Sequence, residues 1–195
     1  MPKKSKRDEV WTALAERHGA EIVTGRRGRV KQVRFRADPW ILVLDEHNSG
    51  GDSSSTHTRV RAAYRMRDDF RFRVYRRTML SGIGRMFGMQ DIEVGMPQLD
   101  RDYIVQSNSP GRIQALLIAR DVAKPLETLR AGRFETRKLR RRGVSDPSLR
   151  EMVYQKQGVE RDVEALGTMI ELVRAALGHL TRLGAALREP VAIEL

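Results

Sequence analysis

Arginine alternates with apolar residues along two stretches of the chain, 58–66 and 70–75, and this spacing could hold an anion. Side chains on a strand point to opposite faces in turn, so the pattern predicts two strands with one guanidinium side each. If an odd-numbered loop at 67–69 pairs them as a hairpin, the arginines form one cationic face. Guanidinium groups bind phosphate and carboxylate, so we predict an anion-binding face. Its residues are Arg59, Arg61, Arg65, Arg71 and Arg73.

Four acids near the middle of the chain could do metal-dependent hydrolysis. Asp91, Glu93, Asp100 and Asp102 could bring carboxylates together, as metal-dependent nucleases and glycosidases require. No Glu-x-Lys follows them to complete a common nuclease core. Charge balance against nearby arginines explains these acids more simply, so we predict no catalytic residue.

Two histidines and a glycine motif are weaker signals of a metal site and of a cofactor site. His47 and His57 flank a stretch that contains Asp52, and imidazole with carboxylate can bind zinc. A metal site needs fixed ligands, so we interpret both as solvated loop histidines and predict no metal. The glycines at 82–88 have the spacing Gly-x-Gly-x-x-x-Gly, but the strand predicted at Asp91 leaves no room for the helix of a dinucleotide site. We therefore predict no cofactor.

The charge of the chain favours an anionic partner. Lys+Arg number 37 and Asp+Glu 25 in 195 residues, a formal net charge of +12. Nucleic acid, anionic lipid and acidic protein surfaces are the partners that such a balance favours. Tyr75 falls on the arginine parity, where it could stack on a base.

Composition also excludes several classes of protein. The chain has no cysteine, which excludes disulfides, thiolate nucleophiles and cysteine-ligated metal centres. No apolar run approaches the roughly 20 residues of a membrane-spanning helix. The basic start is not followed by the apolar core of a secretory signal, so we expect a cytoplasmic protein.

The periodicity of the remaining chain predicts one α+β domain over 1–195, with a curved antiparallel sheet and helices packed mainly on one face. A helix is predicted at 7–18, with Ser5 as its N-terminal cap and Gly19 as its stop. A second is predicted from Ser109 to about 129, with a kink or a break at Pro125, and a third at 160–187. Strands are predicted at 30–36, 40–44, 58–66, 70–75, 91–94, 103–106, 134–139 and 149–155. Flexible segments are predicted at 1–7, 48–57 and 189–195.

The last of these helices carries an apolar heptad seam. Its residues are Val163, Leu166, Ile170, Val173 and Leu177. Such a seam is buried either on the sheet or against a second copy of the chain, so a homodimer through the C-terminal helix is one expectation.

One block of sequence carries a resemblance. Gly88-Met-Gln-Asp-Ile-Glu-Val-Gly95, followed by Asp100-Arg-Asp-Tyr-Ile-Val105, resembles a group of uncharacterised bacterial proteins. Leu99 stands where those proteins lead us to expect Phe, a departure from their pattern. The resemblance implies a bacterial protein of unknown function, and it brings no activity and no site residues.

These observations predict a non-enzymatic binding or scaffold domain whose arginine face meets an anionic partner. A nucleic-acid-binding protein is the first alternative, and a metal-dependent hydrolase is the second. If the face is open, reversing Arg61 and Arg73 to Glu should abolish binding and leave thermal stability nearly intact.

Overall fold

The computed structural model of the chain describes residues 5–49, 55–79, 90–193 and 195. Within these residues the chain has an α+β fold with a nine-stranded sheet and a long C-terminal helix, as the periodicity predicts. The glycine motif at 82–88 lies outside the described residues.

The described part of the chain begins with a helix, ends its regular structure with another, and has nine strands between them. The α-helices are α1 (Lys6–His18), α2 (Pro97–Asp102), α3 (Pro110–Leu117), α4 (Arg120–Leu129) and α5 (Val163–Arg182). The strands are β1 (Glu21–Thr24), β2 (Val30–Ala37), β3 (Trp40–Ser49), β4 (Ser55–Arg65), β5 (Phe72–Arg76), β6 (Gln90–Asp91), β7 (Tyr103–Ser107), β8 (Arg133–Lys138) and β9 (Leu149–Gln157).

The order of the strands contradicts the predicted arginine hairpin. The sheet runs β1-β2-β3-β4-β9-β8-β5-β7-β6, and its neighbouring strands pair antiparallel. Strand β4 pairs with β3 and β9, and β5 pairs with β7 and β8, so the predicted pairing of β4 with β5 is wrong. Alternation fixes which side of a strand faces the core, but it does not choose the neighbouring strand.

The apolar parity of the strands packs against the helices in one core. Buried residues of α1, α3, α4 and α5 join the buried side chains of the sheet in a single cluster. Leu166, Ile170, Val173 and Leu177 of the heptad seam are buried inside this monomer core, and the fifth seam residue, Val163, is only half-buried against it. A homodimer through α5 would therefore have to use its exposed residues instead of the seam.

Local signals at the first helix act as predicted. The Ser5 hydroxyl accepts a hydrogen bond from the Asp8 amide at 3.2 Å, which caps the N-terminus of α1. At the other end, Gly19 has φ 58°, a left-handed conformation that favours glycine and ends the helix.

Two predicted segments need correction. Strand β3 continues to Ser49 and β4 begins at Ser55, so residues 48–49 and 55–57 of the predicted loop 48–57 lie in strands. Residues 50–54 lie outside the described part of the chain. Hydrogen bonds between polar side chains support this extension, as between Thr56 and Asn48 at 3.0 Å. The predicted helix from Ser109 is two helices that separate at Ile118 and Ala119, ahead of Pro125, which lies inside α4.

The chain after α5 returns to the sheet and crosses to its other face. Helix α5 ends at Arg182, earlier than predicted, and Ala186 forms an antiparallel bridge with Met66. Beyond it, Leu195 packs against Val43 and Ala63 on the face opposite the helices. That face, called the polar face below, holds the predicted arginines.

Candidate anion-binding surfaces

A row of aligned residues crosses the polar face over the full width of the sheet. Directly opposite residues on antiparallel strands place their side chains on the same face. From β1 to β6 the row is Glu21, Arg34, Val43, Arg61, Val153, Glu135, Arg73, Gln106 and Asp91. Arg61 and Arg73 therefore share a face although their strands are not neighbours. Three acids balance the three arginines of this row.

Asp45 and Glu151 are buried carboxylates, 6% and 3% exposed, and each contacts two arginines. Asp45 accepts hydrogen bonds from Arg59 at 3.0 Å and from Arg61 at 2.6 Å. Glu151 accepts from Arg61 at 2.9 Å and from Arg137 at 2.6 Å. Arg61 bridges the two acids, and these five residues are called the Arg61 network below.

Glu135 forms a second group on the same face. Its carboxylate accepts a hydrogen bond from Arg73 at 2.8 Å and lies 3.1 Å from the Nε of Arg133. Burial lowers the pKa of Arg133, and the Glu135 carboxylate opposes that effect only in part. The guanidinium groups here hold an acid of their own chain.

The charged form of Arg61 is stabilised by its neighbours. Burial lowers its pKa, but the carboxylates of Asp45 and Glu151 outweigh burial and leave the pKa raised. The side chains of Arg59, Arg61 and Arg73 are only 13%, 13% and 14% exposed. Little of their surface is open to a partner.

The two other predicted residues are also paired, at more exposed positions. Arg65 lies 2.7 Å from Asp146, and Arg71 lies 3.3 Å from Asp69. Hydrogen bonds from the Ser148 hydroxyl and from Arg65 hold the pKa of Asp146 at about 2. The structure thus places all five predicted arginines in ion pairs, and whether they bind an external anion stays a prediction.

Sequence reasoning missed the acids of this face and three of its arginines, Arg34, Arg133 and Arg137. The signal was present in β8, where Arg133, Glu135 and Arg137 alternate with the buried Phe134 and Thr136. That alternation marks a polar strand face of mixed charge. Pairing these residues with β4 and β5 requires the strand order, which the sequence pattern does not contain.

An open concavity of about 520 Å³ lies on the polar face beside the Arg61 network. It is lined by Glu21, Val23, Lys31, Gln32, Arg34, Asp45, Glu46, Arg59, Arg61, Arg141 and Leu195. Cations outnumber acids in this lining. Lys31 and Arg141 are exposed and have no ion pair with any described residue. We call this the sheet-face concavity.

Aromatic stacking is not available on this surface. Tyr75, predicted on the arginine parity, is 3% exposed. Every Trp, Tyr and Phe that the structure describes is buried. A single-stranded nucleic acid would find no exposed ring in the described part of the chain on which to stack its bases.

Three of the four candidate acids at 91–102 have structural contacts, and the fourth, Glu93, is exposed. Asp100 accepts hydrogen bonds from the amides of Val94 and Gly95 at 2.7 and 2.9 Å. Asp91 accepts from Gln106 at 3.0 Å, and Asp102 lies 3.6 Å from Arg76. Among the described residues, no group of three or more acidic or histidine side chains is placed to hold a metal ion.

His47 and His57 lie directly opposite each other on β3 and β4, and not in a loop as predicted. Burial lowers the pKa of His47, and Arg59 and Arg137 lower it further. We expect that His47→Asn with His57→Asn leaves metal content unchanged and the free energy of unfolding within about 0.5 kcal/mol. Elemental analysis and urea unfolding of both proteins check this. Stoichiometric zinc or manganese that disappears in the double variant would contradict it.

Comparisons of the chain with protein-family models, with curated proteins and with solved structures find no match. The resemblance of the 88–105 block to uncharacterised bacterial proteins therefore stays a prediction. Separately, none of the helices in the described residues is long and apolar enough to span a membrane.

Proposed function

We propose that this protein is a non-enzymatic binding protein that contacts a phosphate-bearing anionic partner through the sheet-face concavity. The observation that supports it is the pair of exposed cations, Lys31 and Arg141, that have no ion pair in the described chain and line an open concavity. A partner would gain attraction there without breaking an internal ion pair.

The Arg61 network contributes little net charge to this surface but forms part of its shape. Arg59 and Arg61 share Asp45, so their charges are largely compensated within the protein. Their fixed guanidinium groups still form one wall of the concavity. The proposal therefore assigns the attraction to Lys31 and Arg141, and a positioning role to the predicted arginines.

Nucleic acid is one partner that this proposal includes. Because the described aromatic residues are buried, contact would be to the phosphate backbone and not to stacked bases. Such contacts release counterions, so affinity falls linearly with the logarithm of salt concentration. Each lost phosphate contact lowers that slope by about 0.9 for duplex DNA.

The test measures binding of labelled duplex DNA and of inorganic polyphosphate by fluorescence anisotropy at several salt concentrations. We expect Lys31→Glu with Arg141→Glu to weaken binding at least about tenfold and to lower the salt slope by about 2 for the duplex. The physical reason is that both substitutions replace attraction to phosphate by repulsion.

The matched control is Lys124→Glu with Arg161→Glu. Both residues are exposed cations away from the concavity, and the control changes net charge by the same amount. An equal loss of affinity in both double variants would mean that only net charge matters and would contradict the assigned surface. Cleavage of either polymer in the presence of a divalent metal would instead favour a hydrolase.

A further inference from the structure

A second cationic cavity lies where the β2–β3 hairpin approaches α5, and it is lined by β2 residues of both parities, Arg36 and Ala37. It is open to solvent and has a volume of about 520 Å³. Its lining residues include Arg36, Asp38, Trp40, Arg174, Arg182 and Arg188. Four of these six are arginines and one is an acid. We call it the hairpin–helix cavity.

Its arginines differ from the five predicted for the polar face in having no partner among the residues that the structure describes. Arg36, Arg174, Arg182 and Arg188 are exposed, and none of their side chains forms an ion pair or hydrogen bond with a described residue. Like charges around one cavity repel each other. A multivalent anion bound among them would relieve that repulsion and accept several hydrogen bonds.

Helix α5 forms one wall of the hairpin–helix cavity, because three of the lining residues lie on the same face of the helix. Arg174, Gly178 and Arg182 follow at intervals of four residues, so they lie on one face of the helix. A Cβ atom at position 178 would lie 3.6 Å from a terminal nitrogen of Arg182, so this guanidinium lies close over the glycine. Arg36 comes from β2 and Arg188 from the segment after α5, and both line the same cavity.

Trp40 provides a second observation. This side chain is 6% exposed and lines the cavity, and its indole Nε1–H has no hydrogen-bond acceptor in the described part of the chain. Buried donors in folded proteins are nearly always paired, so an unpaired one beside a cationic cavity is notable. Trp11 is also buried with an unpaired indole N–H, but it does not line this cavity.

We propose that the hairpin–helix cavity binds the phosphate group of a small soluble anion. Arginine forks donate pairs of hydrogen bonds to phosphate oxygens, and a doubly charged tetrahedral group can be shared by arginines from several directions. Asp38 limits how much negative charge the cavity accepts near the hairpin. This site is separate from the sheet-face concavity and does not depend on the function proposed for it.

The test follows the two indole N–H signals of the protein by ¹H–¹⁵N NMR during addition of inorganic phosphate and of pyrophosphate at constant ionic strength. We expect the Trp40 signal to shift and saturate, and the Trp11 signal to stay in place. A Trp40→Phe variant assigns the two signals. Trp11 is the internal control because its indole N–H is equally buried and unpaired.

The test is completed by one variant that should weaken phosphate binding and one that should strengthen it. Arg174→Gln with Arg182→Gln should weaken binding at least about tenfold, because two guanidinium donors are lost. Asp38→Asn should strengthen binding, because it removes the repelling carboxylate. Both Arg positions are exposed on α5, so the variants should fold, which circular dichroism verifies.

Several results would overturn the proposal. These are a Trp40 shift produced equally by chloride, a shift of both indole signals together, or unchanged affinity in the arginine double variant. Binding only to vesicles that contain phosphatidic acid, and not to soluble phosphate, would also overturn it, since the ligand would then be a lipid surface. The variant Lys31→Glu with Arg141→Glu should leave the phosphate-dependent shift of the Trp40 signal unchanged, which separates this site from the sheet-face concavity.

Discussion

Replacing Leu166 or Ile170 with aspartate is expected to unfold the protein. These side chains are 0% and 1% exposed and lie in the core between α5 and the sheet. Burying an unpaired carboxylate costs several kcal/mol, on top of the cavity that the lost side chain leaves. A domain of this size has a free energy of unfolding of about 5–15 kcal/mol, so either substitution removes most of it.

Circular dichroism and light scattering of the purified variants measure this effect. Glu171→Asp is the matched control, because it places the same new residue at an exposed position of the same helix. That control should stay within about 0.5 kcal/mol of the parent protein. A Leu166→Asp protein that is soluble, folded and unchanged in mass would show that the seam does not hold the core together.

The sequence predicts this helix well because its information is local. A repeat of apolar residues three and four apart defines a helix and its buried face without knowledge of any partner. The same holds for α1, where Ser5 and Gly19 mark the ends as predicted. The parity of β4 and β5 likewise predicts correctly which residues face the core, such as Val60 and Phe72.

The candidate site depends on information that is not local. Asp45 and Glu151 are separated from Arg61 by 16 and 90 positions along the chain, and only the strand order brings them together. A run of arginines on one strand face is compatible with an open surface or with a paired one. Strands β9 and β8 lie between β4 and β5, and their acids pair with the arginines. The alternation of residues in the sequence does not show that these strands lie there.

Reversing Arg61 to glutamate is the second change with a large expected effect. It would place a third carboxylate between Asp45 and Glu151, both buried, and remove the guanidinium that bridges them. Breaking a buried ion pair by removing one partner costs about 3–5 kcal/mol, and adding a like charge increases the loss. The ion pairs therefore predict strong destabilisation, the opposite of the nearly intact stability expected from an open face.

Two companion variants separate the possible causes. In Arg61→Met, Asp45 keeps Arg59 and Glu151 keeps Arg137, so each acid retains one partner and the loss should be much smaller than in Arg61→Glu. Arg141→Glu reverses an exposed arginine without an ion pair in the described chain and should change stability by less than about 0.5 kcal/mol.

Urea unfolding of the three variants gives the free energies of unfolding that decide the matter. The order expected is Arg61→Glu far below Arg61→Met, and Arg141→Glu close to the parent protein. If Arg61→Glu is as stable as Arg141→Glu, the contacts with Asp45 and Glu151 contribute nothing to the fold, and the original hypothesis of an open arginine face regains its support. If both Arg61 variants are destabilised equally, loss of the guanidinium and its hydrogen bonds to Asp45 and Glu151, which both variants share, is the cause, and the added carboxylate contributes nothing further.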